Sequence, residues 1–182
     1  GRQVHISSLQ YELFPTPHLE GKNVTLTSTN GKGEAFISGI SIRLDPKELL
    51  NKKISISRVH FKSLSTNQSF IETYISEWKH RQKMERGEAP LIDIRKVTAD
   101  SITIRTHDNK LIGPFRFKGK FGGPTGFRSF SFAMLDDSLN MTLHPSAKGL
   151  NLTIKGENIH SPIGPPIVID HLNASALLVN NT

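Results

Sequence analysis

Cysteine is absent from the 182 residues, which excludes a disulfide framework, a thiolate metal site and a thiol nucleophile. Long apolar runs are absent too, because no segment reaches the roughly 18 consecutive apolar residues that a membrane-spanning helix requires. Hydrophobic residues make up 36% of the chain, which predicts a lean core. A single domain accounts for a chain of this length.

Motifs for catalysis and cofactor binding are also missing. The eight histidines show no metal-ligand spacing, and the only adjacent acidic pair, Asp136 and Asp137, precedes an expected tight turn. The stretch from Gly122 to Gly126 lacks the Lys-Ser/Thr of a phosphate-binding loop. The sequence therefore predicts a non-enzymatic protein with no cofactor and no metal. An enzyme stays an alternative, because folding can bring dispersed carboxylates or histidines together.

The charge balance is basic, with a formal net charge of +7 and a pI near 9.8. Such a surface favours anionic partners, for example phospholipid headgroups, lipopolysaccharide or nucleic acid. Charge alone does not choose among these three classes.

Apolar residues alternate with polar ones along most of the chain, which is the pattern of half-buried strands. Short polar connections, such as residues 144–149 and 98–101, favour antiparallel pairing. The sequence predicts a mostly β fold, an antiparallel, twisted and open groove-like meander. The alternative is a closed β-sandwich that serves protein interaction or adhesion. The alternating positions include Val4 and Ile6, Val24 and Leu26, Ile40 and Ile42, Ile102 and Ile104, Leu139, Met141 and Leu143, and Leu150, Leu152 and Ile154.

Two helices interrupt the strands. Asp45 before Pro46 predicts a short helical turn, because a carboxylate cap and a proline at the first helical position favour helix initiation. A second, amphipathic helix is expected from Ser69, with Glu72 completing a capping box. This helix either covers the sheet or lies on a membrane surface, since basic residues follow its apolar stripe. The membrane-facing candidates are Phe70, Tyr74, Trp78, Lys79 and Arg81.

Aromatic and basic residues alternate between Phe115 and Phe121. A platform for single-stranded nucleic acid needs rings and cations on one surface. Successive side chains of a strand point to opposite faces, so the rings and the cations separate. The sequence therefore predicts an apolar inner face, a basic outer face and no nucleic-acid partner.

The first sixty residues resemble the opening of AsmA-like proteins of the Gram-negative envelope. The resemblance is carried by Gly1, Arg2, Val4 and Ile6, by Leu13, Phe14, Pro15, Pro17 and Leu19, and by Asn23 and Val24. It continues through Ile42, Arg43, Leu44, Asp45, Pro46, Leu49 and Leu50 to Ile54, Ile56 and Val59. Residues 97–104 are similar to a recurring strand-turn-strand unit of that family, although Asp100 and Ser101 stand where Asn-Gly is common.

The resemblance implies one periplasmic domain over residues 1–182, with a helical insertion at about 69–86. It also implies an inner-membrane anchor before Gly1 and a role in lipid transport or outer-membrane assembly, with phospholipid or another acyl-chain lipid as the partner. The family offers no catalytic residues to match. The apolar sheet-face candidates for lipid binding are Phe115, Phe117, Phe121, Phe130, Phe132, Leu150, Leu152 and Ile154.

Overall fold

The computed structural model describes residues 3–28, 31, 33–84, 93–122, 127–147, 149–160 and 168–178, with the backbone alone for residues 77–84 and 127. The two helices are α1 (Pro46–Leu50) and α2 (Gln68–Met84). The strands are β1 (Gln3–Glu12), β2 (His18–Thr27), β3 (Glu34–Leu44), β4 (Ser55–Phe61), β5 (Leu64–Asn67), β6 (Asp93–Ile94), β7 (Lys96–Arg105), β8 (Leu111–Phe121), β9 (Phe127–Met134), β10 (Leu139–Ser146), β11 (Gly149–His160) and β12 (Val168–Leu178).

All of these strands belong to one sheet, which runs in the order β1-β2-β3-β4-β7-β8-β9-β10-β11-β12. The predicted mostly β, mainly antiparallel sheet with two helices is confirmed. The described strands form one hydrogen-bonded sheet, whereas a sandwich consists of two packed sheets.

The centre of the sheet departs from a pure meander. β4 and β5 lie one after the other in the space between β3 and β7, and both pair with β7 in parallel. Parallel neighbours need a long crossover between them, and here the crossover contains α2. The remaining neighbours along the path are antiparallel.

The register places most of the apolar residues of these strands on one side of the sheet, which we call the apolar face. Phe36, which pairs with Thr25 and Ser65, lies on the other side. On the N-terminal strands, Ile6 pairs with Val24, and Val24 pairs with Ile37. On the C-terminal strands, Met141 pairs with both Phe132 and Ile154. The opposite side, which we call the polar face, holds hydroxyls, amides and charged groups, as alternation requires.

Both helix starts have side-chain caps. The Asp45 carboxylate accepts a hydrogen bond from the Lys47 N–H at 3.0 Å, as the sequence predicts. For α2 the predicted cap is wrong. The helix begins at Gln68, and Asn67 Oδ1 accepts the Phe70 N–H at 2.8 Å. Asparagine caps a helix as well as serine does. The chain therefore offers two possible caps close together, and the sequence predicts a helix start one residue too late.

The predicted connection at residues 98–101 is also wrong, because these residues lie inside β7. The register between β7 and β8 shifts between Ala99 and Ile102. A bulge of this kind inserts extra residues into a strand without ending it. Both Ala99 and Ile102 consequently stay on the apolar face, and the polar Asp100 and Ser101 are accommodated between them.

Candidate functional site

An apolar groove of about 890 Å³ lies between α2 and the N-terminal part of the apolar face. It crosses β1, β2, β3, the β4 and β5 column, β7 and β8. Neighbouring strands are about 4.8 Å apart, so these six positions span about 24 Å. The volume falls within the roughly 300–1,000 Å³ typical of ligand pockets. The groove opens to solvent along β1.

The lining of the groove is almost entirely hydrocarbon, and none of the described residues that contribute to it is charged. Thr66 contributes a polar hydroxyl to the lining, but this hydroxyl donates to the Glu34 carbonyl oxygen at 3.0 Å and so already has a partner. The strands contribute Val4, Ile6, Leu9, Leu19, Gly21, Val24, Leu26, Ala35, Ile37, Ile40, Ile42, Phe61, Leu64, Thr66, Val97, Ala99, Ile102, Ile104 and Phe117. A surface of this composition binds ligands by the hydrophobic effect.

The first two turns of α2 form the other side of the groove. Phe70, Ile71 and Tyr74 all line it. Gly33 lets the helix approach the start of β3 closely, because a Cβ at Gly33 would lie 2.7 Å from the Phe70 Cα. A side chain at this glycine would push the helix start away from the sheet.

Polar contacts also hold the start of α2 against the turn between β7 and β8. The Gln68 amide donates to Glu72 Oε1 at 2.8 Å, and the same oxygen lies 3.3 Å from His107 Nε2. The His107 N–H donates to Gln68 Oε1 at 3.4 Å. These hydrogen bonds lower the pKa of Glu72, with the one from Gln68 contributing most and the one from His107 next.

Strand β1 provides the exposed rim of the groove. Its apolar residues Val4, Ile6 and Leu9 are 58%, 41% and 62% exposed. Their side chains share the face that β2 and β3 bury more deeply, where Val24 and Ile37 are each 4% exposed. The groove thus grades from a buried interior to an open apolar margin.

The eight sheet residues predicted to bind lipid all lie on the apolar face, but only Phe117 among them lines the groove. Phe115 is buried, and its ring centroid lies 4.6 Å from that of Phe132. The others lie on the continuation of the same face over β8, β9 and β11: Phe121, Phe130, Phe132, Leu150, Leu152 and Ile154. The groove is therefore displaced from the predicted residues toward the N-terminal strands.

The helix residues predicted to face a membrane divide into two groups. Phe70 and Tyr74 line the groove, so these two residues lie on the side of the helix that covers the sheet. The side chains of Trp78, Lys79 and Arg81 lie outside the described residues.

The sequence does not single out the groove residues of β1, β2, β3 and β7. Their alternation predicts strands, but nothing in it distinguishes them as ligand-binding residues from the aromatic residues of β8 and β9. A usable indication was the position of α2 directly after β5. A helix in a crossover packs on the sheet beside the strands that it joins, which here are β5 and β7.

The described residues give no sign of a metal centre, since no three or more histidines and acidic residues lie together. None of the described helices has the length and apolar content needed to cross a bilayer. Comparisons with protein-family models, with curated proteins and with solved structures find no match.

Proposed function

We propose that this chain is a non-enzymatic lipid-handling module that holds acyl chains in its apolar groove. The observation that supports the proposal most is the hydrocarbon lining over about 890 Å³, to which no charged side chain contributes in the part of the chain that the structure describes. A ligand that gains from such a surface is itself apolar and long. The groove spans about 24 Å, and one leaflet of bilayer hydrocarbon is about 15 Å thick, so an acyl chain fits along it.

The energetics favour this class of ligand. Burial of a methylene contributes about 0.8 kcal/mol, so a sixteen-carbon chain gains about 12 kcal/mol before the cost of ordering it and the protein. Because one side of the groove is open, part of such a chain keeps contact with water. The net gain is therefore smaller than this upper value.

The resemblance of the first sixty residues to AsmA-like proteins supports a cellular setting for the proposal. In that setting the chain acts in the periplasm, with an inner-membrane anchor outside the sequence given, and takes part in lipid transport or outer-membrane assembly. An adhesive role would also use an apolar surface, but a groove under a helix is less suited to a flat protein partner than to a narrow chain.

The proposal is tested by native mass spectrometry of the purified protein and by titration with a fluorescent fatty acid. Ile6→Lys/Leu9→Lys puts two charges on the exposed rim, and we expect it to weaken fatty-acid binding about tenfold or more. The control is Leu50→Lys, at an apolar residue of α1 that is 85% exposed and outside the groove.

Because Ile6 and Leu9 are already exposed, the double variant is expected to keep the fold, which circular dichroism checks. A protein that carries no lipid and takes up no fatty acid contradicts the proposal. Equal loss of binding in the rim variant and the control contradicts the location of the site.

A further inference from the structure

A row of four cations crosses the polar face at the centre of the sheet. Arg43 on β3 pairs with Arg58 on β4, and Lys96 on β7 pairs with Lys120 on β8. The parallel register of β4 and β7 puts Arg58 beside Lys96. At about 4.8 Å between strands, the row spans about 14 Å. We call these four residues the basic row.

The basic row lacks ion-pair partners among the residues that the structure describes. In the part of the chain that the structure describes, none of its members forms an ion pair with a carboxylate. The nearby Asp100 and Asp137 are paired with His60 and Arg116. On the next strand, Ser129 stands opposite Lys120. Like charges that face each other on neighbouring strands destabilise a sheet, and no ion pair among the described residues relieves the two facing pairs of this row.

The environment of Lys96 reflects the same excess of positive charge. Its pKa is lowered, first by loss of hydration and then by the charges of Arg58, Lys118 and Lys120. A shallow depression of about 420 Å³ lies over this region, and the cations Arg58, Lys96, Arg116 and Lys118 line it together with Asp100 and Asp137. Arg58 is held in place there, because its Nε and Nη2 each lie 3.3 Å from the Thr98 hydroxyl.

We propose that the basic row is a binding site for phosphate groups, carried by a soluble polyphosphate or by lipid headgroups. Arginine and lysine both bind phosphate oxygens through charge-assisted hydrogen bonds. Four cations at the spacing of strands require a ligand with several anionic groups in succession. A nucleic acid fits less well, because the aromatic rings of β8 and β9, which would stack on bases, lie on the opposite face.

This site lies on the side of the sheet opposite the groove and does not depend on the proposed function. Its phosphate ligand neutralises charges that the folded protein otherwise keeps in mutual repulsion. Removal of Lys96 and Lys120, which face each other on β7 and β8, therefore has two opposite effects. It weakens phosphate binding, and it stabilises the unliganded protein.

The test compares Lys96→Gln/Lys120→Gln with Lys22→Gln/Lys155→Gln, which removes the same charge from exposed positions on β2 and β11. Calorimetry with tripolyphosphate at low salt measures the affinity. We expect the first variant to bind about tenfold or more weakly, with a raised Tm in the absence of ligand. We expect the control to bind like the original protein.

Sedimentation with phosphatidylcholine vesicles, with and without phosphatidylglycerol, separates the two phosphate sources. If the protein binds the anionic vesicles and the Lys96→Gln/Lys120→Gln variant does not, the phosphate groups belong to lipid headgroups. If the protein binds tripolyphosphate but not the vesicles, the ligand is a soluble polyphosphate. The proposal is overturned if the two variants bind tripolyphosphate equally, or if the original protein does not bind it. It is also overturned if oligothymidine binds more tightly than tripolyphosphate and loses this binding when Lys96 and Lys120 are replaced.

Discussion

Asp45 stabilises the connection between β3 and β4 in two ways. Its Oδ1 accepts the Lys47 N–H and caps α1, and its Oδ2 lies 2.6 Å from Arg95 Nη1. The Arg95 N–H in turn donates to the Ile56 carbonyl oxygen at 2.9 Å. Asp45 therefore joins the α1 connection to the start of β7, next to the parallel centre of the sheet.

Two substitutions separate these contributions. Asp45→Asn keeps a capping oxygen and loses the ion pair, whereas Asp45→Ala loses both. A cap contributes about 1 kcal/mol and a partly exposed ion pair about 0.5 kcal/mol. The Asp45 and Arg95 side chains are 13% and 46% exposed, which supports a low value for the pair. We expect the free energy of unfolding to fall by about 1.5 kcal/mol in Asp45→Ala and by about 0.5 kcal/mol in Asp45→Asn.

Thermal unfolding followed by circular dichroism measures both effects. At about 3 °C per kcal/mol for a chain of this size, the Tm falls by about 5 °C and by about 2 °C. Arg95→Gln should destabilise at least as much as Asp45→Asn, because Arg95 also lies 3.6 Å from Glu48 and 3.4 Å from Asp93. The combination of the two should cost less than their sum, because both remove the Asp45–Arg95 pair. If Asp45→Asn destabilises as much as Asp45→Ala, the cap contributes nothing and the reasoning is refuted.

We expect Gly156→Ala to lower the free energy of unfolding by about 1–3 kcal/mol, because a Cβ there would lie 2.7 Å from the Ser138 carbonyl oxygen, which the backbone holds in place. Gly39→Ala, whose Cβ meets atoms at 3.5 Å or more, should be tolerated in the same urea titration, and equal losses would contradict the argument. Glu72 should stabilise the fold above its ordinary pKa of 4.5, because hydrogen bonds, first that from Gln68, lower its folded-state pKa. The stability difference from Glu72→Gln, measured by urea unfolding, should therefore shrink as the pH falls through that lowered pKa; a pH-independent difference would contradict this assignment.

The strands and the two faces of the sheet were predictable because alternation is a local property of the sequence. Val24 and Leu26, or Ile102 and Ile104, lie on one side of a strand whatever the strand pairs with. The cap at Asp45 was predictable for the same reason, since the donor is only two residues away. Each of these features is decided by neighbours in the chain.

The parallel pairing and the position of the groove were not predictable, because they depend on contacts between distant residues. Alternation indicates which side of β7 is apolar, but not that β4 and β5 are its neighbours. The polar pair Asp100 and Ser101 resembled a turn, yet the strand continues through them as a bulge. The phenylalanines favour a lipid-binding site at β8 and β9, but there the rings of Phe115 and Phe132 contact each other. The helix instead covers strands with smaller aliphatic residues.

The parallel centre of the sheet has a consequence for how the chain folds. The strands before α2 and those after β7 pair mainly with sequence neighbours, so each group closes short loops. The pairing of β5 with β7 must instead close residues 68–95, and loop-closure entropy rises with length. Non-local contacts slow folding. The junction between the two groups is thus the step at which assembly is expected to be slowest, and the groove, which spans that junction, is complete only after it has formed.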